Sequence, residues 1–529
     1  MYLGDWTPAL ARLYGEKEAL FDESSGASLS YAQLHRRVDR AAATLAALHV
    51  RRGDRVAVLA KNRLEHVELL FACARLGALF VPLNWRLKEP EFAFLLDDAE
   101  PAALFFERSF DYLAGRLCAT RETQAICFDA PDPRHKSDPA HDAADELAGS
   151  DAKVWPFLLE EHALAQAPEQ ARLSLEDPWL ILYTSGTTGH PKGALLPYRQ
   201  VCFNALNTIV ALDLVQSDST ITYTPLFHTG ALHVLTTPLL AKGGTVVLRD
   251  GFDAEALLDL VEAGRVSVLF GVPTTFEMMA ASPRFSAVDF SKVRLALCGG
   301  APCPISLIER YTARGVVFKQ GYGLTEVGPN CLNLNAADVV TRAGSAGQPN
   351  LTVAARVLDH NDRPVAGAGR GELCLGGPAV CLGYWRRPDA TAVAFTEDGF
   401  FRTGDVVEVD EDGYYYIVDR AKDMFISGGE NVYPAEVERV LADHPDVRAA
   451  AVIGVPDARW GEVGRAYLEA RGAGLDLEKL RAWVKERLAN YKVPKQLVVV
   501  DELPRNASGK VQKHLLDRVP DGDSGKEAR

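Results

Sequence analysis

The sequence predicts an α/β protein with two domains, residues 1–421 and residues 422–529. Apolar strand-like runs alternate with segments of helical periodicity through most of the first domain, which is typical of stacked, largely parallel sheets flanked by helices. Between 371 and 418 the runs become short and rich in Gly, Asp and aromatic residues, which predicts a small antiparallel, β-barrel-like region. Beyond it, a helix opening at Pro434, a strand and a further helix predict a small α+β domain.

Local signals support the first elements in turn. Ser30 and Gln33 form a predicted capping box, and the apolar residues that follow repeat at helical spacing. A strand over 56–59, an apolar helix and a second strand ending at Pro82 then complete a βαβ unit. The same alternation of strand and helix recurs between 266 and 298.

Composition excludes several classes of protein. A formal net charge of −14 disfavours nucleic-acid binding, which needs a basic surface. No apolar run approaches the length that spans a bilayer. The chain shows neither a secretory signal nor a terminal peroxisomal tripeptide, and its nine cysteines form no C-x-x-C pair. We therefore expect a cytoplasmic protein with free thiols; a homodimer is compatible with the sequence.

The segment from Tyr183 to Gly193 carries the strongest chemical signal. It follows an apolar strand and has the sequence Tyr-Thr-Ser-Gly-Thr-Thr-Gly-His-Pro-Lys-Gly. Small residues leave backbone N–H groups free to surround phosphate oxygens, and hydroxyl groups and a lysine add donors and charge. It is not a Walker A loop, because there the lysine is followed by Ser or Thr. The segment predicts a phosphate-binding loop formed by Thr184, Ser185, Gly186, Thr187, Thr188, Gly189 and Lys192.

Three further motifs follow in order: Gln-Gly-Tyr-Gly-Leu-Thr-Glu over 320–326, Phe-Arg-Thr-Gly-Asp over 401–405, and Asn-Ala-Ser-Gly-Lys over 506–510. Together with the predicted phosphate loop, they resemble the adenylate-forming superfamily of acyl- and aryl-CoA ligases, peptide-synthetase adenylation domains and beetle luciferases. The resemblance implies that ATP activates a carboxylic acid as an acyl-adenylate, and that a thiol, here coenzyme A, takes the acyl group. It also implies that the second domain is a mobile lid.

The resemblance assigns the nucleotide site. Tyr322 would stack on adenine, Thr325 would contact the α-phosphate, and Asp405 would accept hydrogen bonds from both ribose hydroxyls. Thr184 and Glu326 would hold Mg²⁺ against the phosphate oxygens and take part in catalysis. Further contacts to the nucleotide are implied for Gly299, Gly300, Ala301, Gly321, Gly323, Val418 and Arg420.

The second domain is expected to serve both half-reactions. Lys510 matches the essential lysine of the family, whose ammonium would bridge the substrate carboxylate and the α-phosphate. Lys422 matches the position about which the small domain swings. The residues expected to contact CoA are the paired glycines of a pantetheine tunnel with their neighbour, and two aromatic residues: Gly428, Gly429, Glu430, Trp460 and Tyr491.

The acid is the least determined substrate. His228 resembles the family's gate between the nucleotide and acyl pockets, with a part in catalysis. Other expected contacts to the acid are Asn204, Thr208, Thr229, Gly230, Ala231 and Cys303. No Arg or Lys stands near these positions to recognise a second carboxylate, which favours a fatty or aromatic monocarboxylic acid.

Three alternatives stay open at this point. A stand-alone adenylation enzyme would load an acyl carrier protein instead of CoA, although no carrier domain follows the Lys510 motif. A luciferase-like oxygenase would consume oxygen with the adenylate. A non-catalytic nucleotide sensor would have no need of so complete a set of charged motif residues.

Overall fold

The computed structural model of the protein describes residues 4–130, 153–162, 168–184, 191–300, 303–420, 423, 425–427, 430–432, 434–457, 460–472, 474–488, 490–506 and 509–518. The chain forms two compact units, one of Met1–Ala354 with Leu375–Phe401 and one of Ala355–Cys374 with Arg402–Arg529. Within these residues, six sheets packed with helices confirm the α/β fold class. The functional boundary at 421/422 stays a prediction.

A seven-stranded sheet forms the centre of the first unit. The strands follow one another across the sheet in the order Lys153–Val154, Gln124–Cys127, Ala103–Phe106, Arg55–Leu59, Leu79–Pro82, Pro178–Thr184 and Lys192–Pro197. All neighbours run parallel except the last two, which form an antiparallel pair. Its central strands are fully buried, as parallel strands covered by helices on both faces should be.

Three smaller sheets are also present among the described residues of the first unit. A four-stranded sheet has the order Ser219–Thr222, Thr245–Leu248, Glu18–Asp22 and Ala27–Ser30. A parallel sheet contains Val268–Gly271, Leu295–Cys298 and Val317–Gln320. An antiparallel sheet contains Tyr322–Leu324, Gly328–Asn333 and Gln348–Pro349. Because the carboxyl ends of parallel strands share one edge, the second of these sheets gathers the loops that follow its strands.

The helices of the first unit cover the sheets. Where the structure is described, they are Thr7–Tyr14, Tyr31–Ala47, Leu64–Leu76, Glu89–Ala99, Asp111–Cys118, Trp155–Glu161, Tyr198–Ala211, Thr237–Lys242, Ala254–Glu262, Pro273–Ala281, Ile305–Thr312 and Pro388–Ala394, with 3₁₀ turns Arg108–Phe110 and Ala336–Asp338 and a π-helical segment Gly230–Thr236. The predicted capping box is confirmed, since the Ser30 hydroxyl accepts from the Gln33 N–H and the Gln33 side chain accepts from the Ser30 N–H. No helix in the described ranges is long and apolar enough to cross a membrane.

Two sheets lie in the described part of the second unit. The predicted antiparallel region is a four-stranded sheet in the order Ala354–Leu358, Gly369–Gly376, Phe401–Val409 and Tyr415–Arg420, and the part that the structure describes is not closed into a barrel. The other sheet has the order Glu430–Val432, Phe425–Ser427, Gly461–Ala470 and Val447–Asp457, with Gln496–Val500 paired to Gly461–Ala470. Helices Pro434–Ala442 and Leu477–Arg487 and a 3₁₀ turn Lys513–Arg518 accompany these strands, so the predicted α+β pattern is confirmed.

Candidate active site

The two ends of the predicted phosphate loop lie side by side. Thr184 closes strand Pro178–Thr184, Lys192 opens strand Lys192–Pro197, and the two residues are direct partners in the antiparallel register. The Thr184 hydroxyl donates to the Lys192 carbonyl oxygen at 3.4 Å. The residues expected between them lie outside the described residues: Ser185, Gly186, Thr187, Thr188 and Gly189.

Tyr384, which the sequence analysis missed, connects Lys192 to Glu326. Its backbone forms a bridge with Ala194, in the strand that Lys192 opens. The Lys192 ammonium nitrogen lies 5.4 Å from the centre of the Tyr384 ring, within the range of a cation–π interaction. The Tyr384 hydroxyl donates to Glu326 Oε1 at 2.9 Å. Two predicted phosphate-site residues therefore meet on one tyrosine, 58 positions from Glu326 in the chain, where no local pattern marks it.

The predicted magnesium ligands are chemically suited to that ion. Glu326 is 8% exposed, and its backbone oxygen accepts from the Cys381 N–H at 2.7 Å. Among the described residues, no group of three or more His, Cys, Asp or Glu could enclose a metal. Mg²⁺ in ATP-using enzymes is usually held by one or two carboxylates together with phosphate oxygens. A buried carboxylate and the Thr184 hydroxyl fit that pattern, in which the nucleotide supplies the remaining oxygens.

The predicted adenine side lies at the carboxyl edge of the parallel three-stranded sheet. The Gly321 N–H donates to the Cys298 carbonyl at 2.8 Å, which holds the loop after one strand against the end of the next. Tyr322 follows directly and is half-buried. A β-carbon on Gly323 would lie 2.3 Å from the Pro329 backbone, so only glycine fits there. Gly299 and Gly300 end the described part of the neighbouring loop, and Ala301 lies outside it.

Thr325, later in the same motif, is hydrogen-bonded to a neighbouring helix. The Thr325 carbonyl accepts from Gln200 Nε2 at 2.8 Å, and Gln200 belongs to helix Tyr198–Ala211. The same helix carries Asn204 and Thr208, two of the residues expected to contact the acid. Helix Tyr198–Ala211 thus links the predicted nucleotide and acid regions.

His228 is an uncharged imidazole at neutral pH. Burial, with a smaller contribution from the positive charge of Arg86, lowers the pKa of His228 to about 4. Arg86 therefore acts on one of the positions near which the sequence suggested no Arg or Lys. Its ring centre lies 4.4 Å from that of Phe227, and within the described residues its buried Nε2 has no hydrogen-bond partner. The neighbouring Thr229 hydroxyl is also buried without a partner among these residues. A neutral ring with an unused polar atom suits contact with a ligand.

Phe270, also missed by the sequence analysis, lies next to one glycine from each of the two predicted regions. An ideal β-carbon on Gly230 would lie 3.3 Å from its ring, and one on Gly299 would lie 3.4 Å from it. Phe270 is half-buried near the end of strand Val268–Gly271 and packs against the hydrophobic core. The structure therefore brings the glycine predicted to line the acid pocket and the glycine predicted to face adenine to the same aromatic side chain.

The other residues expected to contact the acid take part in buried polar contacts. Asn204 Nδ2 donates to the His233 carbonyl at 2.7 Å, and the Thr208 hydroxyl donates to the Asn204 carbonyl at 2.8 Å. Ala231 lies in the π-helical segment and is buried. Cys303 is also buried, and its N–H donates to Gln320 Oε1 at 3.3 Å. A direct role of these residues in binding the acid stays a prediction.

Asn62 is a third residue that the sequence analysis missed. Its Oδ1 accepts from the Leu226 N–H at 2.8 Å, and its Nδ2 donates to the carbonyls of Thr222, Thr224 and Arg249 at 3.1, 2.8 and 3.0 Å. One buried amide thus fixes the strand end from which the chain continues to His228. Its partners are 160 to 187 positions away, so no local signal could have found them.

In the second unit, Asp405 lies in the middle of strand Phe401–Val409 and is 4% exposed. Its N–H donates to the Thr403 hydroxyl at 3.1 Å, and that hydroxyl donates to the Leu373 carbonyl at 2.7 Å. Arg420 is the direct partner of Asp405 in the antiparallel register, and Val418 lies half-buried on the same strand as Arg420. The backbone thus places Asp405, which is predicted to bind the ribose, beside Arg420, which is predicted to contact the nucleotide.

The remaining predicted residues of the second unit are spread along it. Lys510 is exposed, and its N–H donates to Asn506 Oδ1 at 2.9 Å. The Trp460 ring is 37% exposed with Lys495 Nζ 5.7 Å from its centre, and Lys492 Nζ lies equally far from the Tyr491 ring. Glu430 opens strand Glu430–Val432, whereas Lys422, Gly428 and Gly429 lie outside the described residues.

Comparison with known proteins decides the family. A model of the AMP-binding enzyme family matches residues 9–385, and a model of the AMP-binding enzyme C-terminal domain matches residues 436–510. The chain belongs to the family of AMP-binding enzymes. The predicted resemblance to adenylate-forming enzymes is therefore confirmed.

Relatives of this AMP-binding enzyme match it along almost its whole length. A feruloyl-CoA synthase of Amycolatopsis sp is 43% identical over 517 residues, 98% of either chain. An indoleacetate–CoA ligase of Aromatoleum aromaticum is 41% identical over 519 residues, 97% of either chain. The solved o-succinylbenzoate CoA synthetase of Bacillus subtilis, in complex with its acyl-adenylate intermediate, is 31% identical with a TM-score of 0.83, covering 98% of this chain and 99% of that one. The similarity is thus to acid–CoA ligases in sequence and in fold.

Proposed function

We propose that this AMP-binding enzyme is an AMP-forming ligase that joins an aromatic monocarboxylic acid to CoA through an acyl-adenylate. The observation that carries the proposal is the likeness over 98% of the chain to a feruloyl-CoA synthase, supported by the likeness to an indoleacetate–CoA ligase. Both names denote acids that end in a planar ring. The half-buried Phe270 ring has a glycine on two sides, so an aromatic acid could pack against its apolar face there.

In the first half-reaction, a carboxylate oxygen of the acid bonds to the α-phosphorus of ATP while the bond to the pyrophosphate oxygen breaks. We assign Lys192 to the charge on the departing pyrophosphate, and Lys510 to the charge that develops around the α-phosphorus. Glu326 and Thr184 would hold Mg²⁺, which when bound supplies positive charge to the phosphate oxygens. Tyr322 would stack on adenine, and Asp405 would accept hydrogen bonds from the ribose hydroxyls.

In the second half-reaction, the CoA sulfur bonds to the acyl carbon, AMP leaves with the bonding electron pair, and the thiol proton goes to solvent. We assign Gly428 and Gly429 to the path of the pantetheine arm, after a swing of the small domain about Lys422. Trp460 and Tyr491 would contact the CoA adenine, since each ring has a lysine ammonium 5.7 Å from its centre and a nucleotide brings both a flat base and phosphates.

His228 would separate the two pockets as a neutral group. Because its pKa is lowered to about 4, it carries no charge at neutral pH and cannot pair ionically with the acid or with the phosphates. An uncharged ring can instead turn aside or accept a hydrogen bond without an ionic contact being broken. This property is compatible with a gate that both the acid and the adenylate must pass.

A substrate panel tests the proposal. The purified enzyme is given ATP, Mg²⁺ and CoA with an arylpropenoic acid, indoleacetic acid, octanoic acid or succinic acid, and AMP and acyl-CoA are measured. We expect kcat/KM for an aromatic acid to exceed that for octanoic acid by at least about tenfold, since pocket shape alone gives discrimination of this order. Preference for octanoic or succinic acid would overturn the assignment of an aromatic substrate.

The acceptor is tested separately, because a carrier-loading enzyme would form the same adenylate. With the preferred acid, CoA is compared with a phosphopantetheinylated acyl carrier protein, and the rates of AMP formation are measured. We expect CoA to support turnover and the carrier protein to leave the adenylate bound. The reverse result would favour the carrier-loading alternative. Cytoplasmic location and a homodimer stay predictions from the sequence.

A further inference from the structure

Tyr384 contacts two residues of the predicted phosphate site but has no role in the mechanism above. Its hydroxyl donates to Glu326 Oε1 at 2.9 Å, and its ring centre lies 5.4 Å from the ammonium nitrogen of Lys192. Lys192 and Glu326 carry opposite charges. The face of the Tyr384 ring contacts Lys192, and the Tyr384 hydroxyl contacts Glu326. A phenol can do both at once because its face attracts cations and its hydroxyl donates to carboxylates.

The backbone around Tyr384 holds it to both partners independently of the side chain. Tyr384 forms a bridge with Ala194 in the strand of Lys192, and the Cys381 N–H donates to the Glu326 carbonyl at 2.7 Å. The segment 381–384 is therefore held to the strand and to Glu326 by backbone hydrogen bonds alone, without any contact from the Tyr384 ring. A change confined to the ring or the hydroxyl should leave this framework in place.

We propose that Tyr384 is a positioning residue that holds the Glu326 carboxylate and the Lys192 ammonium in the arrangement that binds the polyphosphate of MgATP. The inference rests on the proposed function, since the two partners have this task only if the protein binds ATP. A hydrogen bond to an ionised carboxylate is stronger than one between neutral groups, and it restricts rotation of the carboxylate. The ring contact similarly limits the conformations of a lysine side chain that is flexible in isolation.

The proposal distinguishes MgATP from AMP. AMP lacks the β- and γ-phosphates, which are the groups that Lys192 and a Mg²⁺ bound by Glu326 would contact. The affinity for AMP should therefore depend little on Tyr384. Tyr384→Phe keeps the ring beside Lys192 and removes only the hydroxyl. We expect this change to weaken binding of MgATP about tenfold, the effect typical of losing a hydrogen bond to a charged group, and to change AMP affinity less than about twofold.

The measurement is calorimetric titration of the full-length protein with MgATP or AMP in the absence of acid and CoA, so that no turnover occurs. Tyr31→Phe is the matched control, because it removes a hydroxyl that donates to the Gly244 carbonyl at 2.7 Å, and neither residue belongs to the predicted site. It should leave both affinities unchanged. Tyr384→Leu, which also removes the ring, should weaken MgATP binding more than Tyr384→Phe does.

A double-mutant cycle with Glu326→Gln separates positioning from a general loss of structure. If the hydroxyl acts through the carboxylate, adding Tyr384→Phe to Glu326→Gln should weaken MgATP binding less than about twofold further. Equal losses for MgATP and AMP, unchanged MgATP affinity in Tyr384→Phe, or fully additive losses in the cycle would each overturn the role of Tyr384. Failure of the wild-type protein to bind MgATP would instead overturn the proposed function itself.

Discussion

Replacement of Asn62 by alanine should destabilise the first unit by about 3 kcal/mol. The Asn62 side chain is 5% exposed and accepts from one backbone N–H while donating towards three carbonyl oxygens. An amide nitrogen carries only two hydrogens, so the side chain makes about three full hydrogen bonds, each worth a net ~1 kcal/mol. Alanine also leaves the Leu226 N–H buried without its acceptor, which adds to the loss.

Urea unfolding followed by tryptophan fluorescence measures this effect as a lower midpoint. The slope of the transition should not change, because the surface exposed on unfolding is the same. Asn335→Ala removes an exposed amide from the same unit and should leave the midpoint unaltered. A second readout is catalytic: the freed segment leads to His228, so KM for the acid should rise more than KM for ATP. A loss of stability below about 1 kcal/mol would refute the hydrogen-bond accounting.

Three further predictions concern other parts of the chain. Gly323→Ala should prevent folding or abolish ATP binding, because the added β-carbon would lie 2.3 Å from the Pro329 backbone. Gly472→Ala is the control: beyond its chain neighbours, no atom lies within 4 Å of the added β-carbon, so this variant should behave as the wild type in solubility and calorimetry. Burial lowers the pKa of His233 to about 3. Between pH values of about 3 and about 6.5, this histidine is therefore protonated in the unfolded chain but not in the folded one. The free energy of unfolding should therefore fall as the pH drops through this window, and His233→Asn should reduce that fall in urea titrations at successive pH values; parallel curves would contradict the assignment. Lys510→Ala should slow acyl-adenylate formation by roughly a hundred- to a thousandfold, the usual cost of losing one electrostatic stabiliser, while CoA thioester formation from synthetic acyl-adenylate persists. Equal loss in both half-reactions would rule out a lid that changes its role.

Local sequence patterns were sufficient to predict several of the secondary-structure elements. The capping box at Ser30 and the helix behind it depend on contacts three or four residues apart, and the structure contains both. The strands of the βαβ unit and the helix opening at Pro434 likewise follow from apolar periodicity and from proline at a first helical position. These signals are local because the periodicity of a helix or strand involves residues that are close together in the chain.

The contacts that organise the site were not predictable in this way. Tyr384 meets Glu326 across 58 positions, and Asn62 meets its partners across more than 150. Phe270 has a place between two glycines only because separate strands end at a common edge. An aromatic residue or an asparagine has no distinctive spacing from such distant partners, so their identity depends on how the sheets pack.

By itself, the sequence determined the fold class, the family and the order of the motifs. Alternating apolar patterns indicate strands and helices, and phosphate recognition needs small residues and a lysine that lie close together in the chain. Only the tertiary structure decided that Lys192 and Glu326 share one tyrosine, that His228 is neutral, and that an asparagine holds the segment leading to it. The physical reason is that these properties arise from burial and from hydrogen bonds between distant strand ends, which exist only once the sheets have assembled.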